Sequence, residues 1–403
     1  MSWLKYEPAK KDSTAEQPGK FNDRVQFGRY DYQWKDQSFI VYLYCEYHDC
    51  EPPEGITYFI LRKREEDRVS DGRSSTVQDL VAAASSHTND IHEGDVLVWD
   101  DDSWTKNTRL WKSVQKSTWD KVILDNSLKE SLIQDVEGFF HQKDHYDQFE
   151  VPWKRGIIVH GLPGNGKTIA VKALMNSLSS RPKPIPTLYV KSGKGEYGTI
   201  HAIRKIFKKA RQMSPCLLVF EDLDSLITEE SRSFFLNEVD GMESNDGIMM
   251  IGSTNYLEKL DAGITKRPSR FDRKYHFDLP APQERTRYCD FWRTRLANNK
   301  SINFPAKMSS AIAGITDGFS FAYLQEAFIS SLLAIVNEQR TNSDQLADDS
   351  IDSDPKTLES VLLWRVMCKQ VEMLRNEIKG SRKSAKDAME YIGPKQASKA
   401  GFS

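Results

Sequence analysis

Four things are scarce in this chain of 403 residues, and each scarcity excludes something. Charge of one sign is scarce: 56 Lys and Arg face 58 Asp and Glu, a formal net charge of −2. No global field therefore argues for nucleic acid or an anionic membrane as the main partner. Cysteine is scarce, five in all, an odd count that makes no disulfide framework and suits a reducing setting. The run from Cys45 to Cys50 encloses His48, yet no second cluster follows to complete the four ligands of a structural zinc site. No stretch approaches about eighteen consecutive apolar residues, so no membrane span is expected. Met1 to Pro8 has neither an apolar signal core nor the acid-poor, arginine-rich character of a transit segment. The expectation is a soluble cytoplasmic protein whose length suits two or three domains.

What is present divides the chain. Residues 1–20 are polar, with too little apolar surface to offset the entropy of ordering, and read as a disordered tail. Residues 21–118 carry β-rich runs at 38–44, 56–61 and 95–99, and Thr76 to Asp79 matches a capping box ahead of an alanine-rich helix. A small α+β domain for partner or substrate binding is expected there. Its last part holds Trp99, Trp104, Trp111 and Trp119, which either mark a binding face or fill a thin core and its seam with the next domain. From 119 to 281 the pattern becomes an amphipathic helix over 127–142, then strands and helices in alternation, the signature of a parallel sheet with helices on both faces. Residues 282–380 read as helical, from 283 to 339 and from 356 to 378, interrupted by an acidic loop at 341–355. The basic, serine-rich stretch 381–403 reads as a flexible tail.

The chemistry begins at Gly161-Leu162-Pro163-Gly164-Asn165-Gly166-Lys167-Thr168, which fits the glycine, four spacers, Gly-Lys-Thr pattern of a phosphate-binding loop. A β-branched run over 155–160 precedes it and a helix from Ile169 follows. In such a turn, backbone N–H groups at a helix N-terminus favour an anion. Lys167 would add a charge for the β- and γ-phosphates of ATP, and Thr168 a hydroxyl for Mg2+. The apolar run 217–220 then delivers Glu221 and Asp222, a Walker B arrangement: Glu221 as the metal-side acid, Asp222 as the group that orients or deprotonates the attacking water. One strand later, Asn255 offers an amide to the γ-phosphate or that water. Arg267 to Arg273 follow. Their arginines suit phosphate oxygens, and they equally suit surface salt bridges.

Together these motifs resemble the AAA family of ring-forming ATPases over residues 120 to 340. The resemblance rests on 161–168, on 217–222, on Asn255, on Arg270-Phe271-Asp272-Arg273, and on Gly318 to Leu324 in a helical lid. Within the family, residues 119–124, 135–140 and 151–156 and the Glu221-Asp222 order are similar to the mitochondrial translocase branch for the Rieske iron–sulfur protein; the order reverses the family's usual Asp-Glu. A soluble relative of that branch is the expectation. The resemblance implies a P-loop parallel sheet with a C-terminal helical lid, and a nucleotide site extending to Ile169 and Ala322. It also implies a ring of identical subunits in which Arg270 and Arg273 reach a neighbour's γ-phosphate, acting on a protein substrate. It places Tyr197-Gly198 in the central pore, with Glu196 where an aromatic or aliphatic residue is often found, and it puts Phe321 where glycine is usual. Two functions follow: an Mg2+-dependent ATPase that remodels proteins, or a nucleotide-gated scaffold that hydrolyses slowly because Asp222 is a methylene shorter than glutamate.

Overall fold

The structure, a computed structural model, describes residues 2–7, 20–46, 55–62, 74–90, 95–191, 197–241, 244–265, 267, 270–299, 301–341 and 358–392. The chain divides into two units, Met1–Gly94 and Asp95–Ser403.

In the first unit, β1 (Ser2–Glu7) pairs antiparallel with β2 (Lys20–Val25), from Ser2 opposite Val25 to Glu7 opposite Lys20. The tail expected over 1–20 is thus in part a strand, because its backbone finds a partner strand further down the chain, at Lys20–Val25, that its own composition does not reveal. A second, three-stranded sheet follows, with β4 (Gln37–Glu46) antiparallel to both β3 (Phe27–Trp34) and β5 (Gly55–Arg62). Helix α1 (Ser75–Asp90) begins one residue earlier than the expected box: Ser74 Oγ accepts the Val77 amide, while Thr76 Oγ1 instead accepts Arg62 at 2.6 Å. Phe39, Cys45 and Leu80 are the buried apolar residues described in this unit. Cys50 and His48 lie outside the described residues.

The second unit opens with β6 (Val96–Asp100) and β7 (Ser103–Asn107), then α2 (Thr108–Gln115), α3 (Asn126–His141) and α4 (Lys143–Gln148). Next come β8 (Lys154–His160), α5 (Lys167–Ser179), β9 (Thr187–Val190), α6 (Thr199–Gln212), β10 (Cys216–Phe220), α7 (Leu223–Leu226), α8 (Glu229–Asp240) and β11 (Ile248–Thr254). Helix α9 (Ala262–Thr265) and β12 (Arg273–His276) complete a seven-stranded sheet of order β12-β8-β11-β10-β9-β6-β7. All neighbours are parallel except β6 and β7.

The strands read as continuous apolar runs because both faces are covered. Ile157, Val159, Leu217, Val219, Met249 and Ile251 pack into the layer of α2, α3 and α5. Their neighbours Ile158, Leu218, Phe220, Ile248 and Met250 pack into the layer of α6 and α8. This period of two, repeated on three strands, is the side-chain alternation of a sheet buried twice. It also corrects the expected boundary at 118. Val98 and Trp99 pair in parallel with Tyr189 and Val190, so residues from Asp95 on belong to the large sheet. A short apolar run announces a strand, not the sheet it joins. Trp99 and Trp104 accordingly pack edge-on within that core at 5.4 Å, and Trp111 and Trp119 pack on its other layer. They pack into the core of this unit.

The helical segment expected as continuous over 283–339 is three helices: α10 (Pro282–Leu296), α11 (Ala306–Ile315) and α12 (Phe321–Thr341). Pro305 immediately precedes α11, and Gly318, in the left-handed region at φ 78°, turns the chain towards α12. The last helix, α13 (Leu362–Ile392), runs well past 378, so the first part of the expected flexible tail is helical. Trp292, Phe319, Phe328 and Met367 anchor a separate lid core. The acidic loop falls almost wholly outside the described residues.

Candidate active site

Because β8, β10 and β11 run in parallel and in register, Gly252 lies beside Ile158 and Phe220, and the strands end together. The residues that follow those ends, Gly161, Glu221 and Asn255, therefore arrive at one edge of the sheet, where ligands bind in folds of this kind. A cavity of about 600 Å3 opens there between the sheet and the lid. Lys167, Thr168, Glu221, Asp222, Asn255 and Ala322 line it, as do Pro163, Gly164, Gly166 and Ile169.

Two glycines shape the loop. Gly161 has φ 139°, and a Cβ there would stand 2.3 Å from the Phe277 carbonyl oxygen. Gly164 has φ 80°, and a Cβ there would stand 2.5 Å from the Ala322 Cβ; the Ala322 amide donates to the Gly164 carbonyl at 3.1 Å. The loop is thus closed against Phe277, just after β12, on one side and against the first turn of α12 on the other. Asn165 is buried and donates to the Phe277 carbonyl at 3.2 Å, so it braces the loop. Leu162 is exposed. Helix α5 starts at Lys167 with no side-chain cap, which leaves first-turn amides for an anion.

Lys167 is 9% exposed and donates to three neutral oxygens: Gly161 O at 2.7 Å, Leu162 O at 3.0 Å and Asn255 Oδ1 at 2.7 Å. Burial lowers its ammonium below the ordinary lysine range, and Asp222 opposes that shift. Asn255 therefore sits within hydrogen-bond reach of the cation that the sequence assigned to phosphate. Thr168 Oγ1 donates to Glu221 Oε1 at 3.2 Å. The other carboxylate oxygen, Oε2, accepts the Tyr189 hydroxyl. Asp222 is in the left-handed region, φ 49° and ψ 58°, with its amide on Ser253 Oγ at 3.3 Å. Burial, then the Glu221 and Asp224 carboxylates, push its carboxyl above the usual range.

Among the described residues no group of three or more His, Cys, Asp or Glu forms a protein-only metal cage. Thr168 and Glu221 supply instead two hard oxygen donors. That set fits Mg2+, which keeps waters and shares its shell with substrate phosphates. The opposite end of the cavity is apolar and aromatic: Ile123, Ile169, Tyr288, Phe291 and Phe321, with Tyr288 and Phe321 rings 5.4 Å apart. A flat heterocycle would pack against this aromatic wall. Of these, the sequence motifs singled out Ile169 and Phe321; Tyr288 and Phe291 reach the cavity only through the lid fold.

The two arginines do not join the cavity. Arg273 is exposed and pairs with Asp135 at 3.2 Å. Arg270 departs furthest from expectation: its side chain is 6% exposed, and Nε and a terminal nitrogen grip both Asp240 oxygens at 2.8 and 2.7 Å while NH1 donates to the Gly263 carbonyl at 2.6 Å. Three of its five N–H donors are used within its own chain, tying the end of α8 to the segment before β12. Arg267, by contrast, is 60% exposed and holds Asp240 at 3.4 Å. Tyr197 donates its amide to Asp102 at 3.1 Å, and Glu196 lies outside the described residues.

Comparison with known proteins agrees with this geometry. Residues 157–279 match the model of the ATPase family associated with various cellular activities (AAA), so the chain carries an AAA ATPase domain, of an ATP-binding and ATP-hydrolysing class. It is 29% identical over 225 residues to the ATPase histone chaperone YTA7 of Saccharomyces cerevisiae, covering 51% of this chain and 16% of that protein. It is 29% identical over 221 residues to a putative cell division cycle ATPase of Plasmodium falciparum, 51% of this chain and 17% of that one. To the peroxisomal ATPase PEX1 of Komagataella phaffii it is 26% identical over 262 residues, 60% and 22% of the two chains. The chain spans less than a quarter of the length of each of these relatives. None of the three is a Rieske protein translocase. No described helix is long and apolar enough to cross a membrane.

Proposed function

We propose that this chain is an Mg2+-dependent ATPase that works as a ring of identical subunits to remodel protein substrates. The observation that carries the reading is the meeting of Lys167, Thr168, Glu221, Asp222 and Asn255 in one cavity at the carboxyl edge of a parallel sheet. Lys167 exchanges its carbonyl partners for phosphate oxygens, and the α5 amides complete the cradle. Thr168 and Glu221 hold Mg2+, which neutralises phosphate charge when bound. Asp222, turned into the cavity by its left-handed backbone and with a raised affinity for a proton, takes the proton of the attacking water. Asn255 orients the water or the γ-phosphate.

A relative named as a histone chaperone supports a protein substrate. The Glu221-Asp222 order supports a place beside the Rieske translocase branch. Of the two arginines first expected at a neighbour's phosphate, only Arg273 keeps an exposed guanidinium, and Arg267 shares that property; we assign the role in trans to these two. The test is phosphate release from ATP with Mg2+ and with EDTA, alongside sedimentation of the same sample. Mg2+-dependent turnover by an oligomer is expected. Tight ATP binding without turnover would establish the nucleotide-gated scaffold instead.

A further inference from the structure

Tyr189 lies in the interior of the sheet, 4% exposed, paired in register with Val219, two residues before Glu221. Leu217, Val219 and Tyr189 all face the layer that contains α5. Position 221 has the same parity, so the Glu221 side chain leaves the strand towards α5 as well, alongside the phenol. There the two oxygens of one carboxylate are taken by hydroxyls from two different elements, Tyr189 of β9 on Oε2 and Thr168 of α5 on Oε1. A buried tyrosine needs a partner for its hydroxyl, and here the partner is an acid of the active site. Burial, the hydrogen bond to Glu221, and the Glu221 and Asp222 charges hold the phenol far above its usual range, so it remains a donor.

Glutamate carries one more rotatable bond than the aspartate usual at this position. Left unheld, that bond would spread the carboxylate over several rotamers that metal binding must then select at an entropic cost. We propose that Tyr189 is a positioning residue: its hydroxyl locks the longer Glu221 side chain in the one rotamer that presents its carboxylate, with the Thr168 hydroxyl, to the Mg2+ of the bound nucleotide. The inference rests on the ATPase reading above. Tyr189 is not among the residues that line the cavity; it acts through Glu221, as partners of metal-ligating groups commonly do.

The test is binding of a fluorescent N-methylanthraniloyl-ATP to the full chain, titrated with Mg2+ and repeated in EDTA. Tyr189→Phe is expected to bind the nucleotide in EDTA within about twofold of wild type, while the Mg2+ concentration for half-maximal enhancement rises about 10-fold. Glu221→Asp, too short to reach both hydroxyls, is expected to raise it similarly, and the double variant to be no worse than the worse single one. An unchanged Mg2+ requirement in Tyr189→Phe overturns the inference, as does equal weakening with and without Mg2+, or full additivity in the double variant. A wild-type chain that fails to bind the nucleotide in either condition overturns the ATPase reading itself, and this inference with it.

Discussion

Just after β10, Asp222 lines a cavity with no cation bonded to it among the described residues, and burial and two neighbouring carboxylates hold its carboxyl above the usual range. At the end of α8, Asp240 accepts both prongs of the Arg270 guanidinium, which draw its carboxyl below that range. Asp222 follows a strand of the sheet and belongs to the segment that the motifs assign to nucleotide chemistry; Asp240 ends a helix and meets such a segment only through Arg270. One is left unsatisfied and the other is saturated. The difference separates a group that can act from a group that holds the fold: a donor or acceptor already paired inside the chain must lose that partner before it can serve a ligand. Lys167 belongs with Asp222, since its three partners are neutral oxygens that a phosphate can displace. Arg270 belongs with Asp240.

The largest effect expected on this division is at the cavity. Lys167→Ala removes the cation buried at the phosphate loop and should lower turnover on the order of 10³-fold, with loss of nucleotide affinity in an equilibrium binding assay. Near-normal binding would put Lys167 on the structural side. Asp222→Asn keeps shape and removes the base; turnover should fall about 10²- to 10³-fold while ATP binding persists. The raised carboxyl sets the sign of the pH dependence. Asp222 must be ionised to act, so the acid limb of the rate profile should lie above the value of about 3.9 of an ordinary aspartate, with activity falling as pH drops through it. Asp222→Asn should abolish that limb together with most of the rate.

Arg270→Ala carries the comparison to its other side. If Arg270 is a bracket, its loss removes the donor to the Gly263 carbonyl and leaves Asp240 only its longer contact with Arg267, at a cost of about 2 kcal/mol to folding. The melting temperature should drop by several degrees, and turnover by the subunits that remain folded should change little. A large fall in turnover at unchanged stability would return Arg270 to the neighbour's phosphate. Arg273→Ala, exposed and singly paired, should do the reverse: little change in stability, and lost turnover only in the oligomer.

The arrangement of the site was largely legible in the sequence because it is local and covalently spaced. A glycine loop fixes Lys167 and Thr168, and an apolar strand of known length fixes where Glu221 and Asp222 emerge. What escaped depends on contacts between distant segments. Residues 95–107 have the pattern of a strand pair, but which sheet they extend is decided by Val98 and Trp99 meeting Tyr189 and Val190. The same holds for the pairing of Tyr189 with Glu221, across 32 residues, though a tyrosine in a strand buried on both faces is itself a signal that its hydroxyl has a partner. The internal contacts of Arg270 were hidden for the converse reason. Its motif says where the residue sits in the chain and nothing of Asp240, 30 residues earlier, which consumes it.

The smallest effect is the acid dependence of folding, and it separates the two aspartates by sign. Asp240 has a depressed folded value, so its contribution to stability is fully present above the unfolded value of about 3.9 and is lost as pH falls through the folded value. Asp222, with a raised folded value, works the other way: its contribution is present below the unfolded value and is lost as pH rises through the folded one. Because 36% of the Asp240 side chain is exposed, solvent screens the pair and its pH-dependent part should stay under about 1 kcal/mol. Urea midpoints measured across pH 3 to 5 should therefore fall less steeply with acid in Arg270→Ala than in wild type, since the variant has already lost the interaction that protonation removes. Asp222→Asn should steepen the fall slightly, because it removes a group that gained from acid. Identical slopes in wild type and Arg270→Ala would mean that the guanidinium does not hold the Asp240 carboxylate in solution.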